Sequence, residues 1–386
     1  MSVLLGYART PFTRFNGAFA TVPATALGGY AIAAALQRSG IGPGDVDAVI
    51  AGQVLQAGAG QNPARQSAVA AGVGLDVPAT TVNSVCLSGT EAVISAHRLI
   101  SSGEASVVVA VGQESMSLAP HVWVGARAGR AYGAATLLDT VESDGLTDAF
   151  DRTAMGLGTD LGNERLGIDR AEQDAWAERS HRLAAAAADL LAQEIVPVEV
   201  PGRRGPTTVS HDDGVRPDTT AQRLAALRPA FRADGSVTAG NASQITDGAA
   251  AVVLVSEEFR RERGLPGLAD VVGHAVVAGP DTLLHSQPAR AVARALDRAG
   301  FTVADLAALE VNEAFASVVV QSLRDLGADP GTVNRHGGAI ALGHPIGASG
   351  TRITGHLART LGPGETGAAA ICGGGGQGAA VLLRGR

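Results

Sequence analysis

The sequence predicts an α/β protein built from two similar halves with a further segment inserted between them. Three observations carry that expectation. Short β-branched runs such as Val107 to Val111 and Ala250 to Val255 alternate with Ala-rich stretches such as Tyr30 to Ser39 and Ala289 to Ala299, the pattern of strands and helices taken in turn. The chain also repeats itself weakly: Ser88-Gly89-Thr90 recurs as Ser349-Gly350-Thr351 and Gly103-Glu104 as Gly364-Glu365, each 261 positions on. Finally, 46% of residues are hydrophobic but only 3% aromatic, and there are 51 glycines. The core is therefore filled by Ala, Val, Leu and Ile with backbones packed closely, as when helices lie on sheets.

In each copy of the repeat the Ser-Gly opens a helical stretch and the Gly-Glu turn ends it. An apolar strand follows, Ser106 to Val111 in one copy and Gly367 to Ile371 in the other. Upstream, Asp45 to Ile50 resembles Asp305 to Glu310, 260 positions on, which extends the repeat to most of each half. Between the halves, Ser117 to Gln244 breaks the pattern with loops, a predicted helix from Arg170 to Gln193 and a polar stretch from Pro201 to Pro217. This segment reads as a lid-like domain. The predicted units are 1–116 with 245–267, then 117–244, then 268–386, for a chain of 386 residues too long for one simple core.

The net charge of −7 is modest and all 30 basic residues are arginines, which argues against a nucleic-acid footprint. Cys86 and Cys372 have none of the spacings of a zinc site and are too few for a disulfide framework, so no metal and a reducing, cytoplasmic setting are expected. No apolar run approaches the roughly 20 residues that span a bilayer.

Cys86 lies in Asn83-Ser84-Val85-Cys86-Leu87-Ser88-Gly89, between an apolar segment and a predicted helix. A cysteine at a helix N-terminus feels the dipole and free backbone N–H groups, both of which favour the thiolate. His344, in Gly343-His344-Pro345-Ile346-Gly347-Ala348-Ser349-Gly350, occupies the matching loop of the second repeat, so the two halves are expected to turn a nucleophile and a base toward one cleft. Cys372 opens a run of four glycines, Gly373 to Gly376, whose uncovered N–H groups can cradle an oxyanion. That run lacks the Lys-Ser/Thr of a phosphate loop. Gly156-Leu157-Gly158 with Gly162 has the wrong spacing for a dinucleotide fingerprint. Asn312 and Glu313 follow a predicted strand from Ala307 to Val311; a neutral amide can hold a water or carbonyl, whereas a buried carboxylate needs partners. Taken singly, each of these residues has a structural explanation as well: a buried thiol, a turn histidine, a tight glycine turn.

Taken together the segments resemble the thiolase family over almost the whole chain. Arg9-Thr10-Pro11-Phe12 resembles the opening of the family's folded core, which sets aside a transit-peptide reading of the acid-free stretch before Asp45. Gly112 to Ser117 with Ala119-Pro120-His121 resembles the passage into its loop domain, and Val237 to Ser243 with Asp247 to Ala250 the return from it. The resemblance implies a five-layered α/β/α/β/α core of two pseudo-repeats plus a loop domain. It implies that Cys86 carries the acyl group, His344 accepts its proton, Cys372 moves the proton at the substrate α-carbon, and His344 with a water on Asn312 holds an enolate oxygen. It implies too that the N–H groups of Cys86 and Gly374 form a second oxyanion hole, needed because charge develops on two different oxygens. Ser243, Arg216, Phe231, Leu146, Met155, Ala239, Ala314 and Ile346 are implied contacts of coenzyme A or its acyl group. Val122 to Thr140 resembles the family's tetramerisation loop, which implies a homo-oligomer, dimer or tetramer.

Three residues depart from the family pattern: Leu87 after the nucleophile, His336 in place of a common asparagine, and Ala154 where short-chain biosynthetic members often carry histidine. The expected activity is acetyl-CoA C-acetyltransferase, with a degradative 3-oxoacyl-CoA thiolase as the alternative. Coenzyme A and acyl-CoA enter as substrates and no cofactor is implied. A ketoacyl synthase would pair its cysteine with histidines rather than with a second cysteine in a glycine turn. A non-catalytic acyl-CoA-binding protein of the same fold would have no use for Cys372.

Overall fold

The computed structural model describes residues 2–203 and 205–386. The principal strands are β1 (Ser2–Arg9), β2 (Ala48–Gly52), β3 (Ala79–Val82), β4 (Val107–Glu114), β5 (Thr246–Ser256), β6 (Ala269–Ala278), β7 (Leu306–Val311), β8 (Thr366–Gly373) and β9 (Gln377–Gly385). The principal helices are α1 (Ala24–Ser39), α2 (Pro63–Ala70), α3 (Ser88–Ser101), α4 (Met155–Leu166), α5 (Arg170–Ala186), α6 (Gln287–Ala299), α7 (Ala316–Leu326) and α8 (Ser349–Thr360).

The strands run in the order β7-β8-β9-β6-β1-β5-β4-β2-β3. Two halves are visible within that ladder, because β1 and β6 meet only at Val3 with Asp270 and Leu4 with Ala269. Each half has parallel outer strands, β4-β2-β3 in the first and β7-β8 in the second. The layers follow from where the apolar side chains go. One face of the first half packs on α1 and α2 through Leu27, Ile32, Val109 and Val253. The outer face of the second half packs on α6 and α7 through Val292, Leu296, Val319 and Leu382. Between the halves a third cluster joins Ile94 of α3 and Ile353 and Leu357 of α8 to Val108, Val252, Ile371 and Val381. Layers of helix, sheet, helix, sheet and helix result, as the resemblance implies.

The repeated Ser-Gly-Thr has a direct physical meaning. Helices α3 and α8 both begin at it, and their first turns touch: Thr351 Oγ1 donates to the Gly89 carbonyl at 3.0 Å. A Cβ on Gly350 would lie 2.4 Å from the Thr90 backbone nitrogen, so the crossing needs glycine.

After β4 the chain leaves the sheet and returns in β5, with α4 and α5 on the excursion. The helix expected from Arg170 to Gln193 is in fact two, Arg170–Ala186 and Ala188–Ala192. The break at Ala187 turns Leu191 onto Ala341 and Leu342. Arg9, fully buried, fastens this excursion to the core: its guanidinium donates to Glu194 at 3.1 Å and in bidentate fashion to Asp212 at 2.6 and 2.8 Å.

Candidate active site

Cys86 sits on a sharp turn. Val85 before it is left-handed, with φ of 52°, a conformation costing a β-branched residue on the order of 1–3 kcal/mol unless its surroundings enforce it. They do so here: Ser88 Oγ accepts from the Ser84 N–H at 2.9 Å and donates to the Val85 carbonyl at 2.6 Å. The turn presents the thiol immediately before α3. Burial pushes that thiol up to about 11, against the pull of the backbone N–H groups of Gly374 and of Cys86 itself, and nearby Glu114 adds to the rise. The thiolate expected from the helix terminus is therefore not the resting form. Desolvation outweighs the dipole, and Cys86 rests as a thiol.

His344 opens the corresponding loop before α8. Its backbone N–H is held by the Gln244 carbonyl and Thr246 Oγ1, both at 3.1 Å. Its Nδ1 lies 2.6 Å from Ser349 Oγ, whose hydroxyl donates to the Pro345 carbonyl at 3.1 Å. The serine oxygen is thus free to accept, which assigns the ring proton to Nδ1 and a lone pair to Nε2. Among the described residues Nε2 has no hydrogen-bond partner, although His344 is 6% exposed. Burial, aided by the charge of Arg352, lowers the imidazole to about 4 and keeps it neutral. Thiol and imidazole are thus both uncharged at rest, and Ile346 of the His344 loop packs with Cys86.

Asn312 is fully buried, and neither its Oδ1 nor its Nδ2 has a partner among the described residues. Such orphaned amides are rare in native interiors and point to a ligand or water. Glu313 beside it is the opposite case. It takes hydrogen bonds from Trp176 Nε1 at 2.9 Å, Ser180 Oγ at 2.6 Å, Asn334 Nδ2 at 2.9 Å and the Ile340 N–H at 3.1 Å, so it is a structural anchor.

Cys372 lies at the end of β8, fully buried, its thiol pushed far up by burial and by its neighbour Cys86. The turn that follows is built by left-handed Gly375 and Gly376. Asp148 accepts the Gly375 N–H at 3.1 Å and so fixes the turn whose Gly374 N–H faces Cys86.

Two apolar clusters flank these groups. Leu146 and Ile346 pack with Cys86, and Met155 and Ala314 pack with Cys372. Ser243 is tied in through its N–H to the Ala314 carbonyl at 3.0 Å, and the Phe231 ring covers Gly156 next to Met155. Arg216 and Ala239 are exposed. Of the departures, Leu87 is buried against Gly373, next to Cys372, and His336 Nδ1 pairs with His356 Nε2 at 3.0 Å.

Sequence reasoning missed Glu114. Its buried carboxylate accepts the N–H groups of Val54 at 3.0 Å, Leu55 at 3.1 Å and Gly347 at 3.0 Å, joining loops from both repeats. Burial raises it to about 7 despite those three donors, with Asp247 adding to the rise. The only available signal was an acid ending an otherwise apolar strand.

Comparison with known proteins agrees with this geometry. The family model described as thiolase, N-terminal domain, matches residues 2–258, and that described as thiolase, C-terminal domain, matches residues 265–385. A probable acetyl-CoA acetyltransferase of Mycobacterium tuberculosis is 51% identical over 389 residues, covering 99% of each chain. The acetyl-CoA acetyltransferase of Pseudomonas aeruginosa is 46% identical over 386 residues, covering 99% of this chain and 98% of the relative. The crystal structure of the Bacillus anthracis acetyl-CoA acetyltransferase superposes with a TM-score of 0.96 at 38% identity, covering 100% of this chain and 98% of that one. With both domain models matched in order and relatives alike from end to end, the chain belongs to the thiolase family.

Proposed function

We propose that this protein is an acetyl-CoA C-acetyltransferase, exchanging acetyl-CoA and an acyl-CoA for a 3-oxoacyl-CoA and free coenzyme A through an acyl-enzyme on Cys86. The observation that carries the reading is a Cys86 thiol faced by two backbone N–H groups and packed with Ile346 of the loop whose neutral His344 has an unpartnered Nε2 among the described residues. Cys86 Sγ attacks the thioester carbonyl carbon while His344 Nε2 takes its proton. The Cys86 and Gly374 N–H groups receive the developing oxyanion. Coenzyme A leaves with the proton of the Cys372 thiol, which becomes a thiolate, while His344 keeps the first proton and the acetyl group stays on the Cys86 sulfur. Cys372 then removes a proton from the α-carbon of the second thioester, with His344 and a water on Asn312 stabilising the enolate oxygen. The carbanion attacks the acetyl carbonyl, the C–C bond forms, and Cys86 departs as a thiolate that takes its proton back from His344. Run backwards, the same steps cleave 3-oxoacyl-CoA.

The chemistry rests on two thiols and one imidazole, so coenzyme A enters as substrate and no metal or cofactor is required. A homo-oligomer is part of the proposal, supported by the exposed Trp123, Val124, Tyr132 and Leu137 on the segment that resembles the tetramerisation loop. A cytoplasmic setting and a place in fatty acid metabolism go with it. Among the described residues no helix is long and apolar enough to cross a membrane.

The deciding experiment is mass spectrometry of the protein after incubation with acetyl-CoA. One acetyl group should appear on the peptide bearing Cys86, vanish in Cys86→Ser, and persist in Cys372→Ala, which should acetylate but fail to condense or cleave acetoacetyl-CoA. Absence of any acetylated peptide in wild type would refute the reading.

A further inference from the structure

Leu55 and Ala119 pack in the apolar cluster that holds Cys86, and both also line a cleft of about 440 Å³ that the reaction scheme leaves unused. Pro23, Ala24 and Thr25, the cap and first two residues of α1, form one wall of it. The first N–H groups of a helix have no partner within it. Ala26 and Leu27 turn theirs to the Pro23 carbonyl at 3.0 and 3.1 Å, which leaves those of Ala24 and Thr25. No side chain caps this end of α1 and no acid stands in its first turn. The positive end of a 16-residue helix therefore opens onto the cleft uncompensated.

A second feature, independent of the helix, meets the same space. Ser115, which follows β4, lines the cleft and is 6% exposed, yet its Oγ has no hydrogen-bond partner among the described residues. A buried hydroxyl in that position points to a ligand or water. Gln53 and Gln66, also on the walls, commit their amide N–H groups to chain carbonyls, Gln53 to Leu55 at 2.9 Å and Gln66 to Ala59 and Gln61 at 2.8 and 2.9 Å. The donors left over are the Ala24 and Thr25 N–H groups and the Ser115 hydroxyl. None of the lining residues is charged, so no acid on the walls repels an incoming anion. We propose that this cleft binds a small organic anion. Its carboxylate or phosphate oxygens are held by those three donors, as helix N-termini hold anions elsewhere, and its apolar body lies against Leu55, Leu118 and Pro120.

Binding of butyrate, of inorganic phosphate and of neutral butyramide should be measured by isothermal titration calorimetry on the whole protein and on Thr25→Asp and Ser115→Ala. An acid at position 25 stabilises the helix start, so Thr25→Asp keeps its fold while its charge repels an anion. Wild type should bind at least one of the two anions saturably, and butyramide about tenfold more weakly than butyrate, because charge-assisted hydrogen bonds are the stronger kind. Thr25→Asp should weaken anion binding by about tenfold or more, the effect of one like charge at close range. Ser115→Ala should weaken it by about fivefold, the worth of one hydrogen bond. Tighter binding of butyrate than of phosphate identifies a carboxylate as the natural head group, and the reverse identifies a phosphate. The proposal is overturned if neither anion binds wild type saturably, if butyramide binds as tightly as butyrate, or if Thr25→Asp binds the anions as wild type does. Because binding alone is read, each result stands apart from the acyl-transfer chemistry.

Discussion

Ser349 controls His344 through a single contact. With the hydroxyl gone, the Nδ1 proton loses its acceptor at 2.6 Å and the ring is free to present the wrong nitrogen. Ser349→Ala should therefore lower kcat by roughly 10²-fold, the usual worth of one positioned acid–base group, with KM little changed. Steady-state kinetics across a pH range would check it, and an unchanged kcat would remove Ser349 from the mechanism. The residues legible in the sequence are those whose own side chains react: Cys86, His344 and Cys372 stand in short motifs rich in glycine. Ser349 and Glu114 stand in segments the sequence singles out, but their roles, like that of Asp148, were not legible, because they act on backbone N–H groups or on a ring nitrogen brought near by folding and such partners leave no local pattern.

Among the elements, Glu114 is the tie between the loops that carry the site. One end of β4 thereby holds both the 54–55 turn of the first repeat and Gly347 of the second. In Glu114→Gln an amide NH₂ would replace one acceptor and face backbone donors, leaving at least one unsatisfied. The loss expected is about 2–4 kcal/mol of stability, read as a lower denaturant midpoint, together with a fall in kcat as the Ile346-Gly347 loop shifts. Stability equal to wild type would contradict this account. The strands and most helices were readable from their periodicity. The break at Ala187 was not, because no glycine or proline marks it and it arises from Leu191 seeking Ala341 and Leu342.

For the molecule as a whole, pH tests how much burial the fold imposes on its ionisable groups. His344 and His285, both buried, are lowered to about 4, chiefly by desolvation. Glu194 is held down to about 2; burial alone would raise it, but His356, Arg9 and Arg352 outweigh that. All three have folded values below their unfolded ones, so the stability they confer is present above the unfolded value and lost as pH falls. The histidines act first, between about pH 6.5 and 4, and His344 alone is worth about 3 kcal/mol at the lower end. Unfolding midpoints measured by denaturant should drop steeply across that window, and a flat profile would show that the imidazoles are not held neutral.

The crossing of α3 and α8 explains why so little of the internal repeat survives in the chain. If the two halves descend from one duplicated ancestor, most positions in each copy have since been free to drift apart, because each faces its own strands. At the crossing the copies face one another, and Gly89-Thr90 and Gly350-Thr351 form each other's surroundings. A change in one would have demanded a matching change in the other. One fragment of the repeat that remains readable is therefore the place where the molecule touches its own twin.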